Sequence, residues 1–280
     1  MIKLTNKDFA KIEQQCIVDT KTPVKYPPLA LSFGKNVILT KNGKIELPVP
    51  IGTYGNFSFV QAPPKTLKTY FISLLASVYL AGKNKYGGNI RGYRDKKCLV
   101  HFDTEQGKFH AHRTFRRVID MNEGKDQDCY HTFGLRTISY SHRIEFIGHY
   151  LKNKIPKGKV GLVIIDGIAD LCNDVNNIEQ SNDVVQKIME WSEIFNCHIV
   201  TIIHTNPGNT EKPTGHLGSF LEKKTETQIQ LSKNSSNKGW ISVTCKRSRG
   251  YSFEQFSFKI DDYGLPTVIT DLYNPLKDFE

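Results

Sequence analysis

The stretch Val160-Gly161-Leu162-Val163-Ile164-Ile165-Asp166 limits the folds open to this chain more than any other. It is an apolar run of strand length that ends on a carboxylate. A strand with one wet face alternates apolar and polar residues, whereas a continuous apolar run suits a parallel strand covered on both faces. Ile199-Val200-Thr201-Ile202-Ile203 reads the same way and ends in His204-Thr205-Asn206. Phe57 to Gln61 and Cys98 to Asp103 are two further strands, and Tyr130 to Leu135 is a weaker one.

Helical segments separate these strands. Lys68 to Ala81 is largely apolar, so it should be buried on most of its surface, with Gly82 as its stop. Lys108 to Met121 places Phe109, Phe115, Val118 and Ile119 inward; Lys108, His112, Arg113, Arg116 and Arg117 form a basic face that reads as solvent surface. Ser141 is expected to cap a helix carrying Ile144, Ile147 and Leu151 along one face. Glu179 to Asn196 is a helix with Val184, Ile188, Trp191 and Phe195 together. Strands alternating with helices predict parallel βαβ units, hence an α/β fold with a mostly parallel central sheet flanked by helices. The last third is β-rich: Thr227 to Leu231, Trp240 to Cys245 and Phe253 to Ile260 predict an antiparallel C-terminal extension of that sheet.

The first 20 residues predict a short helix with Phe9, Ile12 and Cys16 or Ile17 at helical spacing. Residues 21–50 carry Pro23, Pro27, Pro28, Pro48 and Pro50, so they read as an extended lead-in with an edge hairpin at Asn42-Gly43. The core domain is expected over residues 51–272, after a 1–50 extension and before a 273–280 tail. Lys83 to Lys97, with Gly87, Gly88 and Gly92, reads as a basic surface loop.

A formal charge of +10 favours an anionic partner such as nucleic acid or nucleotide. Six cysteines without a CxxC spacing argue for reduced, packed thiols rather than a zinc site, and for a cytosolic protein. No segment approaches the roughly 20 apolar residues that span a bilayer, so no membrane association is expected.

The chemistry-bearing residues fall at strand ends. Phe57 to Ala76 has the order strand, loop, Lys68-Thr69, helix, which is the order of a phosphate-binding P-loop. Such a loop wraps phosphates with backbone N–H groups, here those of Lys65, Thr66 and Leu67, while Lys68 reaches the outer phosphates and the Thr69 hydroxyl binds Mg²⁺. Ala62 and Leu67 stand where glycines belong, and Pro63 and Pro64 supply no N–H. Leu67 must either store roughly 1–3 kcal/mol of backbone strain or force another path. Lys65 offers a second cation. Asp166 can hold a Mg²⁺ shell or simply cap the turn before Gly167. Glu105 can polarise an attacking water, with Asp103 as the competing base and service to the helix dipole as the alternative. His204 and Asn206 can sense a γ-phosphate.

On Gly55-Asn56-Phe57-Ser58, the loop to Lys68-Thr69, His101 to Gln106, Leu162 to Gly167, His204 to Asn206 and Gly215 to Ser219, the chain resembles the RecA-like P-loop ATPases of the RepA and DnaB helicase type. It is most similar to a Bacteroidetes branch found in mobile and phage-like elements, over residues 25–270. The resemblance implies a RecA-like core, ATP with Mg²⁺, ring or filament assembly such as a hexamer, and action on DNA, single-stranded in particular. It implies that Lys68 and Thr69 contact phosphate and Mg²⁺, that Asp166 is the Walker B acid, Glu105 the catalytic base and His204 the sensor. It places a basic finger in the turn Lys246-Arg247-Ser248-Arg249-Gly250, with Lys246 and Arg249 reaching a neighbour's nucleotide. It also makes Asn206 to Leu217 a DNA-facing loop, with Lys212 and His216 as its cations. The function expected is a DNA-associated ATPase, either a helicase or a mobilisation or replication ATPase of a mobile element. The alternative is a nucleotide-binding or inactive regulatory module with a degenerate loop. A small-molecule kinase is a third reading, without an acceptor motif in the sequence.

Overall fold

Every residue of the run Val160–Asp166 is buried, and the strand it forms (β7) lies within a ten-stranded sheet. The computed structural model describes residues 4–41, 43–82, 89–125 and 127–269. Six of the strands run parallel: Phe57–Ala62 (β3), Cys98–Asp103 (β5), Tyr130–Gly134 (β6), β7, His198–Asn206 (β8) and Thr227–Lys233 (β10). Their spatial order is β10-β3-β8-β7-β5-β6. The strands Ile241–Ser248 (β11), Phe256–Ile260 (β12) and Pro266–Ile269 (β13) continue from β10 as an antiparallel meander. The α/β architecture is the one expected, including the antiparallel C-terminal extension.

Helices cover both faces. Lys68–Ala81 (α2) and Lys108–Met121 (α3) pack on one; Tyr140–Asn153 (α4), Ile178–Ile194 (α5) and Gly215–Lys224 (α6) pack on the other. Alternation along β7 divides its side chains between the two cores: Leu162 and Ile164 face α2, while Val163 and Ile165 face α4 and α5. Gly161 interrupts the run because a Cβ there would meet the Tyr79 hydroxyl at 1.9 Å and Lys97 Cβ at 2.7 Å.

Ten consecutive residues of α2, Phe71 to Leu80, are buried. The sheet covers one side. A separate three-stranded sheet covers the outer side, built from Leu29–Thr40 (β1), Gly43–Thr53 (β2) and Ile90–Gly92 (β4) in the order β2-β1-β4. The proline-rich segment therefore does more than lead in: Ala30, Leu31 and Phe33 join the core, and Phe33 stacks on Phe256 at 3.9 Å between centroids. The hairpin is present, although Asn42 of its turn lies outside the described residues. Part of the expected basic surface loop is strand β4, with Ile90 and Gly92 buried; its Lys83 to Gly88 portion, like the 273–280 tail, lies outside the described residues. Gly92 presses directly on α2, since a Cβ there would lie 2.3 Å from the Val78 carbonyl oxygen.

Local chemistry corrects several boundaries. The helix expected from Ser141 has Ser139 at its N-cap position. Phe109, placed inward by periodicity, is exposed, because α3 turns its first turn away from the sheet. The segment Asn206 to Leu217 is not a plain loop: Asn209–Pro213 (β9) folds back along β8, and α6 starts at Gly215. Lys246, Arg247 and Ser248 complete β11, so the expected basic turn begins only at Arg249. The N-terminal helix Asn6–Cys16 (α1) opens with a capping box between Thr5 and Asp8 and buries none of its residues. No described helix is long and apolar enough to cross a membrane.

Gly161→Ala is expected to destabilise the protein by about 1–3 kcal/mol, the usual cost of forcing atoms into a filled core. Urea unfolding of the variant against wild type measures it; an unchanged midpoint would show that Tyr79 yields freely.

Candidate functional site

Parallel pairing brings four strand ends to one level. Ala62 of β3 pairs with His204 of β8, Ile202 of β8 pairs with Asp166 of β7, and Asp166 pairs with Asp103 of β5. Residues distant in sequence are thereby delivered to one cavity of about 520 Å³, lined by Lys65 to Tyr70, Glu105, Asp166 and His204 among others. The carboxyl ends of the strands are where open α/β sheets hold ligands.

The loop from Ala62 to Thr69 keeps a phosphate-binding path without its glycines. Leu67 sits at φ 55°, ψ 32°, and Lys65 at φ 61°, both left-handed. Of the two courses open to Leu67, strain or another path, the chain takes the strained one, at about 1–2 kcal/mol per left-handed side-chain residue. The amides of Lys65, Leu67, Lys68 and Thr69 donate to no group among the described residues. They form an unsatisfied donor cluster at the start of α2, the arrangement that receives anions. Pro63 contributes through its carbonyl instead, accepting from the Thr66 hydroxyl at 2.6 Å and from Lys68 Nζ at 3.2 Å.

Lys68 also lies 3.2 Å from His204 Nδ1. An ammonium can only donate, so Nδ1 accepts and the imidazole carries its proton on Nε2. Nε2 is 3.9 Å from the Glu105 carboxylate. Burial, then the Lys68 charge, holds His204 below its ordinary pKa, which keeps the ring neutral. Burial likewise lowers the Lys68 pKa, while Glu105 and Asp166 act in the opposite direction.

The two candidate bases separate by their hydrogen bonds. Asp103 accepts from the amides of Glu105 at 3.0 Å and Gln106 at 2.7 Å and from the Gln106 side chain at 2.9 Å, so its oxygens are taken up in shaping the turn. Glu105 extends into the cavity with its carboxylate more than half exposed.

Asp166 is 5% exposed, and its Oδ2 has no hydrogen-bond partner. Burial, then the neighbouring Asp103 and Glu105 charges, pushes its pKa up to about 7 despite Lys68. An orphaned carboxylate oxygen facing a cavity with a free Thr at the helix start is a donor set suited to a hydrated Mg²⁺ ion. Gly167 follows because φ is 102° there and a Cβ would lie 2.4 Å from Thr104 Oγ1, which ties β5 to β7.

The remaining expected site residues lie elsewhere. Lys246 pairs with Glu211 of β9 in its own chain. Glu211 also accepts from Gln230, which receives the Gln61 amide at 3.2 Å, and Gln61 accepts from Gln228 at 2.9 Å. Arg249 donates to the Lys224 carbonyl at 2.7 Å, near the amino end of β10. Asn206 uses its side chain to cap Gly208 in the β8–β9 turn. Conversely, the cavity's far wall is α3: His110, Arg113, Thr114 and Arg117 line it. The sequence reading assigned Arg113 and Arg117 to plain surface, since helical periodicity shows which residues share a face and not what that face overlooks.

The family profile described as AAA domain matches residues 51–209, more than half of the 280-residue chain. The chain belongs to this family. The AAA domain match runs from the strand before the P-loop-like segment to the β8–β9 hairpin, so it spans Lys68, Glu105, Asp166 and His204. Among solved structures, the ATPase domain of a helicase is similar with a TM-score of 0.58 at 16% identity, over 78% of this chain and 87% of that one. The RadB recombinase is similar with a TM-score of 0.54 at 15% identity, over 78% and 92%. At these identities the likeness establishes the shared RecA-like fold. No curated protein sequence matches the chain.

Asp166 holds its proton more tightly when folded than when unfolded. Its burial therefore costs nothing below the unfolded value of 3.8, and the cost grows with pH until it is complete above about 7. Asp166→Asn is expected to unfold at higher urea than wild type at pH 8, by on the order of 3 kcal/mol, and to match it near pH 4. Added Mg²⁺ should stabilise wild type at pH 8 and leave the variant unmoved. A variant less stable than wild type at pH 8 would contradict this account.

Proposed function

We propose that this AAA domain protein is a cytosolic, DNA-associated ATPase, a helicase or a mobilisation or replication ATPase of a mobile element, that hydrolyses ATP with Mg²⁺. The observation that supports this most is the meeting of Lys68, Glu105, Asp166 and His204 around one cavity at adjacent strand ends, beside unsatisfied loop amides. The β- and γ-phosphates lie against those amides, with Lys68 released from the Pro63 carbonyl to the outer oxygens. The Thr69 hydroxyl and Asp166 hold Mg²⁺, which neutralises charge on the phosphate oxygens. Glu105 takes the proton of a water that attacks the γ-phosphorus, and the bond to the leaving diphosphate breaks. Neutral His204 bridges Lys68 and Glu105 and so links the phosphate end of the site to its base. DNA as partner is supported by the +10 charge, and self-association by Lys246 and Arg249, which lie outside their own chain's cavity and are available to a neighbour's nucleotide.

ATP turnover with and without single-stranded DNA, on protein sized by light scattering, tests this reading. Glu105→Gln should lower kcat by roughly 10²–10⁴-fold while keeping ATP binding, and Lys68→Ala should lose binding. If Arg249 acts between subunits, mixing Arg249→Ala with Lys68→Ala chains should restore part of the turnover that each lacks alone. Wild type that binds ATP by calorimetry without turnover would instead identify a nucleotide-gated regulatory module, which the strained, donor-poor loop also favours.

A further inference from the structure

The wall of the cavity facing the P-loop-like segment carries charge that nothing in the chain neutralises. Arg113 and Arg117 stand one helical turn apart on α3, and both line the cavity with Lys65 and Lys68. Like charges at this spacing repel and weaken a helix. Neither guanidinium has a carboxylate within ion-pair distance among the described residues, whereas Arg116 on the solvent side of the same helix is paired with Asp120 at 2.9 Å. Arg117 is held in place: its guanidinium lies 3.7 Å over the Tyr70 ring, and it donates to Ser73 Oγ at 3.1 Å. Burial first, and Arg113 also, lowers its pKa, which reports how poorly its charge is solvated. A partly buried cation without a counter-ion is costly, so the arrangement is at ease only with an anion in the cavity.

We infer that Arg113, with Arg117 behind it, is a second phosphate-binding wall supplied by the same chain, which offsets the N–H donors lost at Pro63 and Pro64. This rests on the ATP-site reading and specifies it further: the ligand is a polyphosphate gripped between the start of α2 and the flank of α3. Arg113, whose guanidinium has no polar partner among the described residues, contacts the outer phosphate. Arg117, fixed by Tyr70 and Ser73, sets the position of that wall and of the first turn of α2. A planar guanidinium suits this task, because it binds two phosphate oxygens at once. The cradle thus trades backbone donors for side-chain charge, which should make binding more salt-sensitive than a glycine-rich loop would.

Calorimetric titration of the full chain with Mg²⁺ and a non-hydrolysable ATP analogue, ADP or inorganic tripolyphosphate tests the inference. Arg113→Gln should weaken the triphosphates about tenfold or more, the worth of one charge-assisted contact, and ADP less. Its melting temperature should stay level or rise, since a repulsive pair is removed; a merely structural arginine would lower it. Arg116→Gln should bind as wild type does. Arg117→Lys keeps the charge but not the planar group, and should weaken binding less than Arg117→Gln. Triphosphate affinity in Arg113→Gln within twofold of wild type, or an equal loss in Arg116→Gln, would overturn the inference. Wild type that binds tripolyphosphate through Arg113 but no nucleotide would keep the inference and remove the ATP reading. Failure to bind any polyphosphate would remove both.

Discussion

The in-register parallel pairing of β3, β8, β7 and β5 is the constraint on which the rest of the structure depends. It ends four strands at one level, so Ala62, His204, Asp166 and Asp103 become neighbours. Both faces of these strands must be covered, which accounts for the continuous apolar runs and for helices on either side. Because the strands are buried, the polar residues at their ends are partly buried too. That is why Asp166 holds its proton to about pH 7 and why His204 stays neutral. The unusual titration of the site follows from the architecture of the sheet.

The same architecture explains how the loop tolerates Leu67. A left-handed leucine is strained in isolation, but here Leu67 packs against the core that surrounds α2. The α2 helix is itself clamped between the main sheet and the β2-β1-β4 sheet, so its amino end, and with it the loop, has little freedom to relax. Strain persists where the surroundings over-determine the conformation. The cradle is therefore preorganised by packing rather than by glycine, and it presents fewer backbone donors and more cationic side chains.

How much could be read beforehand depended on whether the signal was local. The boundaries of α2 and α3, the β7 run and the P-loop-like order were legible because periodicity and a Gly82 stop are written in consecutive residues. Ser139 rather than Ser141 begins α4, since two serines so close offer the same capping chemistry and packing chooses between them. Strand β4 was hidden because three residues carry no period, and its glycine is explained only by contact with Val78. Asp103 and Glu105 were equivalent bases in sequence; hydrogen bonds from the Glu105 and Gln106 amides separate them.

The sequence by itself determined the class of fold, the order of its elements and the position of each chemistry-bearing residue at a strand end, because alternation, apolar runs and turn residues act over a few neighbours. Only the tertiary structure decided which of those ends lie side by side, that Lys246 pairs with Glu211 inside its own chain, and that the basic face of α3 overlooks the cavity. Those outcomes depend on strand order and register, and the energies that select them arise between residues tens to more than a hundred positions apart.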